Sequence, residues 1–245
     1  MNLKEKGLTR AQLKYLAITA MVVDHTAWGF VEFMSPLGQI MHLFGRLTLP
    51  IMCFFVAEGY RHTSNLKKYI LRMAVFALIT VIPFYLFFNE EYGYRQNIIF
   101  DLLLGLLAVT AMEQKKYPKA IRISIVALLF LISAVIGGWI IMPMIYILVF
   151  YYNKEFKSKA KWFCFFTVLL EIVLSALILL NRQFHFSHYD WTLSQWIYLY
   201  GFMLALIPLS FYNNKKGTTH TGKYFFYIFY PAHFVVLFLI KLLIQ

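Results

Sequence analysis

An acid and a base stand side by side at Asp24-His25, inside an apolar stretch that runs over residues 11–31. A second stretch carries His42, Arg46 and Glu58, with His62 at its edge, and later ones hold Asn97 with Asp101, Glu171 and His233. Ionisable residues within long apolar stretches are costly in lipid, and where they occur they point by default to proton relays, substrate paths or catalysis. A histidine in a dry site has its proton affinity set by burial and neighbours, and it can serve as a general base. Arginine cannot shed its charge, so Arg46 must pair with a carboxylate or meet an anionic ligand.

Spacing narrows the chemistry. Lys14 and His25 are 11 residues apart. On a helix that is about 20° from eclipsed, with a rise of about 16 Å. One face then carries a cation near its end and a histidine deep within. A ligand with phosphates at one end and a reactive group on a long arm suits that layout, and coenzyme A is such a molecule. Asp24 points roughly 100° away from His25. The carboxylate that orients His25 is therefore open between Asp24, Glu58 and Asp101. Lys14, Arg61, Lys67, Lys68 and Arg72 form a basic ring suited to phosphates, with His62 close enough in sequence to touch the same ligand. Arg46 could offset oxyanion charge or pair with Glu58. Asn97, Asp101 and His233 are further candidates to line the site.

The elements that must position these groups follow from composition. The 245 residues are 61% hydrophobic, 19% aromatic and only 14% charged, against about 25% charged in soluble domains. Apolar stretches fall at 11–31, 39–60, 69–88, 97–112, 120–136, 138–152, 162–180, 193–212 and 225–243, most near the roughly 20 residues of a spanning helix. The expectation is an all-α polytopic transmembrane bundle, one domain over 1–245. The fifth and sixth stretches share one apolar run broken only by Gly137-Gly138, so eight spans is the alternative. With the N-terminus cytoplasmic, nine spans place 19 of the 23 basic residues on the inner side. Eight would put the last two basic loops outside, so nine spans, N-in and C-out, fit better.

The net charge of +12 is then mostly topology and attraction to anionic lipids, and no nucleic acid partner is expected. The first stretch lacks a cleavage site for a signal peptide. Cys53 and Cys164 both lie inside spans and form no disulfide framework. His185, His188 and Asp190 share an outer loop, but three such ligands in an aromatic loop are a weak signal and no metal is expected. That loop, with Trp191, is read as a cover over an entrance. A proton-coupled small-molecule transporter would also bury Asp, His, Arg and Glu, although no inverted repeat or matched pair of broken helices is visible.

The segment Leu13-Lys14-Tyr15-Leu16-Ala17-Ile18 through Val23-Asp24-His25 resembles the first helix of the TraX family, named for an F-pilin acetylase. Gly45-Arg46-Leu47 with Pro50, the run Phe54-Phe55-Val56-Ala57-Glu58-Gly59-Tyr60-Arg61-His62-Thr63, then Tyr69, Arg72, Pro83-Phe84, Asn97, Phe100 and Gly105-Leu106-Leu107 continue the likeness. It covers residues 13–110 well and the end moderately, through Tyr227, Tyr230 and Pro231-Ala232-His233. The basic residue and histidine of the first helix, with Phe54-Phe55-Val56 and the following basic cluster, are also similar to a wider superfamily of multi-pass membrane acyltransferases. One departure is Asp24, which stands where that superfamily often has an aromatic or apolar residue. The resemblance implies an inner-membrane acetyltransferase. Acetyl-CoA from the cytoplasm would be the co-substrate, and the acceptor an amine or hydroxyl, either the N-terminus of a pilin-like or other membrane peptide or a cell-envelope sugar. It also implies that His25 is the base and that Lys14 holds the donor.

Overall fold

The computed structural model describes residues 7–33, 35–88, 96–182, 200–218 and 224–244. Those residues fold as helices joined by short turns. The first, α1 (Arg10–Phe30), starts on a reciprocal cap: Thr9 accepts from the Gln12 amide, while the Gln12 side chain accepts from the Thr9 amide. Such a cap satisfies two otherwise orphaned donors. The residues at its start are held by the segment 211–216. Leu8 donates to the Phe211 carbonyl, Arg10 to Lys215 and Ala11 to Lys216. Two distant parts of the chain therefore fix where α1 begins.

The second apolar stretch is one span by hydropathy but two helices by geometry. Ser35 caps α2 (Pro36–Gly45), with proline in the first turn. A turn at Arg46 and Leu47 then separates it from α3 (Thr48–His62). The two together, Pro36–His62, are long and apolar enough to cross a membrane. Gly45 sits where a Cβ would fall 2.3 Å from Asp24 Cβ. No side chain fits there unless α1 and α2 move apart. Gly45→Ala is accordingly expected to lower stability by about 1–3 kcal/mol, the usual cost of overpacking. Thermal unfolding in detergent measures this, and an unchanged midpoint would mean that the contact is looser than described.

Helix α4 (Leu66–Phe88) follows, with Pro83 inside it, and then α5 (Ile98–Glu113), capped by Asn97. The Asn97 side chain also donates to the Ala77 carbonyl at 2.9 Å, which ties the start of α5 to the middle of α4. The apolar run over 120–152 is two helices, α6 (Lys119–Ile136) and α7 (Met142–Tyr152). The turn between them is stitched by Asp101, whose carboxylate accepts from the Trp139 amide at 3.1 Å. At Gly137 a Cβ would fall 2.3 Å from Asp101 Oδ1. The glycine is needed because the carboxylate occupies that space.

The chain continues through α8 (Phe156–Arg182), a short apolar helix α9 (Tyr200–Ser210) and α10 (Phe225–Ile244). Among the described residues, four stretches are long and apolar enough to cross a membrane by length and composition: Pro36–His62, Leu66–Phe88, Lys119–Ile136 and Phe225–Ile244. With 11 residues, α7 rises only about 16 Å, roughly half a hydrocarbon core. It is nevertheless among the most buried elements, with Met144, Tyr146 and Ile147 fully enclosed. It therefore fills the centre of the bundle, which a lipid-facing span of full length would not do. In contrast, α6 exposes Ile121, Ile123, Ile125, Leu128, Leu131 and Val135. An apolar face of that length needs lipid or protein against it.

One core gathers Leu13, Ala17, Phe54, Ile51, Leu106, Tyr146 and Phe150 between α1, α3, α5 and α7. A second, aromatic core joins α4 to α10 through Phe84, Phe87, Phe88, Tyr230 and Phe234.

Candidate active site

An internal cavity of about 180 Å³ runs along α1 between α3, α4, α5 and α10. Lys14 and His25 both line it, with Ala17, Ile18 and Met21 between them on the same face. The half-exposed end is cationic and aromatic. The Lys14 Nζ lies 4.8 Å from the Phe226 ring centre and 5.7 Å from that of Phe55. The Arg72 guanidinium lies 5.1 Å from Tyr227 and 5.4 Å from Tyr69. These rings are cavity walls, so the two cations are held beside it by contacts that leave their charge uncancelled.

The other end is polar, with Asp24, His42 and Arg46 buried and His25 half-buried. Neighbours on one helix, Asp24 and His25 turn to different partners, as their angular separation requires. Asp24 faces α2: His42 Nδ1 lies 2.8 Å from its Oδ1, and an Arg46 nitrogen lies 3.4 Å from each oxygen. The Arg46 guanidinium also lies 4.8 Å from the Trp139 ring centre. His25 faces α10. Its Nδ1 lies 2.7 Å from His233 Nε2, with the two ring planes 13° apart. Phe88 and Phe234 pack on the His25 ring. Both Asp24 and Arg46 line the cavity beside His25, together with Trp28, Gln96, Trp139 and Phe202.

Several sequence-level assignments change. None of Asp24, Glu58 and Asp101 is hydrogen-bonded to the His25 ring; His233 is. Arg46 pairs with Asp24 and not with Glu58. Glu58 belongs to a separate cluster at the end of α3, where its carboxylate binds Arg61 at 2.7 Å and His62 at 3.4 Å. Arg61 also donates to the carbonyls of Phe150 and Tyr151 and so caps α7. Across from it, burial pulls the Lys159 ammonium below its ordinary value, while the charge of Glu58 acts the other way. The reason for the separation is simple. Glu58 and Arg46 are 12 residues apart with a helix break between them, so they cannot share the deep site.

Asp101 and Asn97 are buried but act on backbone, at the α6–α7 turn and at the start of α5. His62 is 62% exposed in its side chain, Lys68 is exposed on α4, and neither lines the cavity. Arg72 reaches the cavity through its aromatic neighbours. His185, His188, Asp190 and Trp191 lie outside the described residues, as do Lys4, Lys6, Arg95 and Lys223 of the charge count. Sequence reasoning gave no role to the aromatic holders of the cations, Phe226, Tyr227 and Trp139. It named His42 among the ionisable residues but gave it no role, although His42 stands four residues before Arg46, a spacing that puts both on one face of a helix.

Apolar helices that gather acid, base and cation around an internal cavity define a helical membrane protein. Comparison then identifies the family. The model of the TraX protein family matches residues 9–241, and the chain belongs to that family. It is 34% identical over 253 aligned residues to a probable fimbrial assembly protein FimC, serogroup H1, of Dichelobacter nodosus, with 96% of each chain covered. It is also 26% identical over 211 residues to an uncharacterised protein of Rickettsia prowazekii (strain Madrid E), covering 83% of this chain and 79% of the other. No solved structure matches.

Proposed function

We propose that this chain is an inner-membrane acetyltransferase that moves an acetyl group from cytoplasmic acetyl-CoA to an amine or hydroxyl at the membrane. The single observation that carries this reading is the cavity, which Lys14 and His25 line together from one face of α1. Ligand sites for drug-sized molecules measure about 300–1,000 Å³. The cavity here is smaller, so it suits a slender arm rather than a whole nucleotide. The phosphates would stay outside, against Lys14 and Arg72, while the thioester reaches His25. In this arrangement the N-terminus is cytoplasmic, and the Lys14 end of the cavity faces the donor.

The chemistry balances without an enzyme nucleophile. The acceptor nitrogen or oxygen attacks the thioester carbonyl as His25 takes its proton. The carbon–sulfur bond breaks, and the departing thiolate recovers a proton from the His25 imidazolium. Arg46, held by Asp24, offsets charge on the carbonyl oxygen. A pilin-like peptide is the acceptor best supported, because the relative from Dichelobacter nodosus is named for fimbrial assembly and the family name points to pilin. An envelope sugar is the other acceptor class.

The test uses purified protein in detergent with acetyl-CoA as probe. Binding is expected, weakened by added salt as a phosphate contact requires. Lys14→Ala should raise the dissociation constant about tenfold, in keeping with about 1.5–3 kcal/mol for a charge-assisted contact. Absence of acetyl-CoA binding, together with solute flux in liposomes lacking any acyl donor, would instead establish a transporter.

A further inference from the structure

The contact between His25 and His233 constrains which nitrogen of each ring carries a proton. His233 Nδ1 lies 3.3 Å from the carbonyl oxygen of Phe229, one helical turn earlier. A carbonyl only accepts, so that nitrogen bears the hydrogen. His233 is buried, and its ring otherwise meets His25, Phe229, Tyr230 and Phe234. No carboxylate stands beside it among the described residues, and a doubly protonated ring there would be a charge buried without compensation. The neutral ring therefore presents Nε2 as an acceptor. His25 Nδ1, 2.7 Å away, must donate to it. A neutral His25 then carries its one hydrogen on Nδ1 and keeps a lone pair on Nε2.

We propose that His233 is a positioning residue that holds His25 in the Nδ1–H form, so that Nε2 is the basic nitrogen offered to the cavity. Resting on the acetyl-transfer reading above, the proposal assigns the task usually given to an orienting carboxylate to a chain of two imidazoles ending on a helix carbonyl. The relay runs from the Phe229 carbonyl through His233 to His25. It orients the base without placing a second negative charge beside Asp24. It also makes α10 part of the catalytic apparatus, because the last turn of the relay is the helix backbone itself.

The tautomer can be read directly. Ring-nitrogen NMR of histidine-labelled protein in detergent, above neutral pH, separates protonated from bare nitrogens, and the His25→Asn spectrum identifies the signals of His25. The expected wild-type pattern is protonated Nδ1 and bare Nε2. In His233→Ala the pattern should move toward the opposite tautomer, and acetyl transfer should fall at least about tenfold with acetyl-CoA binding unchanged. His233→Gln, whose side-chain oxygen can accept the same hydrogen, should restore much of both. A wild-type His25 protonated on Nε2 would overturn the proposal even if the protein proves to be an acetyltransferase. So would a His233→Ala protein, folded by the criterion of acetyl-CoA binding, that keeps the wild-type tautomer. Conversely, the expected tautomer in a protein with no transfer activity would remove the acetyl-transfer reading and leave the imidazole pair standing.

Discussion

Replacing His25 by alanine should reduce acetyl transfer by at least about 100-fold, because a general base contributes typically 10²–10⁴-fold to a rate. The effect should fall on turnover and leave donor binding nearly intact. His25 lies 11 residues along α1 from Lys14, while the groups that would hold the phosphates, Lys14 and Arg72, pack against Phe226, Tyr227 and Tyr69. The measurement is acetyl incorporation into envelope peptides and glycans, by mass spectrometry, in cells that make either the wild-type or the variant protein at equal membrane levels. Turnover close to wild type would remove His25 from the chemistry. The comparison with Lys14→Ala separates the two ends of the cavity: one variant should lose rate and the other affinity.

The apolar stretches were readable because each is a run of residues with a single period, and helices form at every one of those stretches within the described residues. The break at Arg46 and Leu47 was not. It interrupts a hydropathy signal that stays high on both sides, and its cause is tertiary: Gly45 is pressed against Asp24 while Arg46 turns inward to the same carboxylate. The short α7 was only partly legible. Gly137-Gly138 marked where it begins, but its apolar residues fit a lipid-facing span and a protein-facing core helix alike, so its place in the core did not show. Within the site, Lys14 and His25 could be placed together because both lie on one helix with a fixed rise per residue. The partner of His25 could not, because His233 comes from α10, 208 residues away in the chain, and helix geometry says nothing about which distant helix packs alongside. For the same reason Glu58 looked as plausible as Asp24 until α3 was seen to carry it to the other end of the bundle.

The pairing of Asp24 with His42 and Arg46 leads to the second large effect. Asp24 is 6% exposed, His42 0% and Arg46 7%, so the Asp24 carboxylate is a buried counter-charge to a guanidinium that cannot be neutralised. Removing one member of a buried pair costs about 3–5 kcal/mol, because the other is left as an uncompensated charge. Asp24→Asn keeps the shape of the side chain and removes only the charge. It should therefore lose about that much stability, seen as a lower unfolding midpoint in detergent and poorer accumulation in the membrane. The double variant Asp24→Asn with Arg46→Met removes both charges and should recover most of the loss, since replacing a whole buried pair by neutral groups is often close to neutral. Transfer should not recover with it. If Arg46 serves the carbonyl oxygen, the repaired protein is stable and inactive. If Arg46 serves only to balance Asp24, stability and activity return together, and the oxyanion role falls. An Asp24→Asn protein as stable as wild type would mean that the 3.4 Å contacts to Arg46 carry little energy and that the Trp139 ring holds the cation instead.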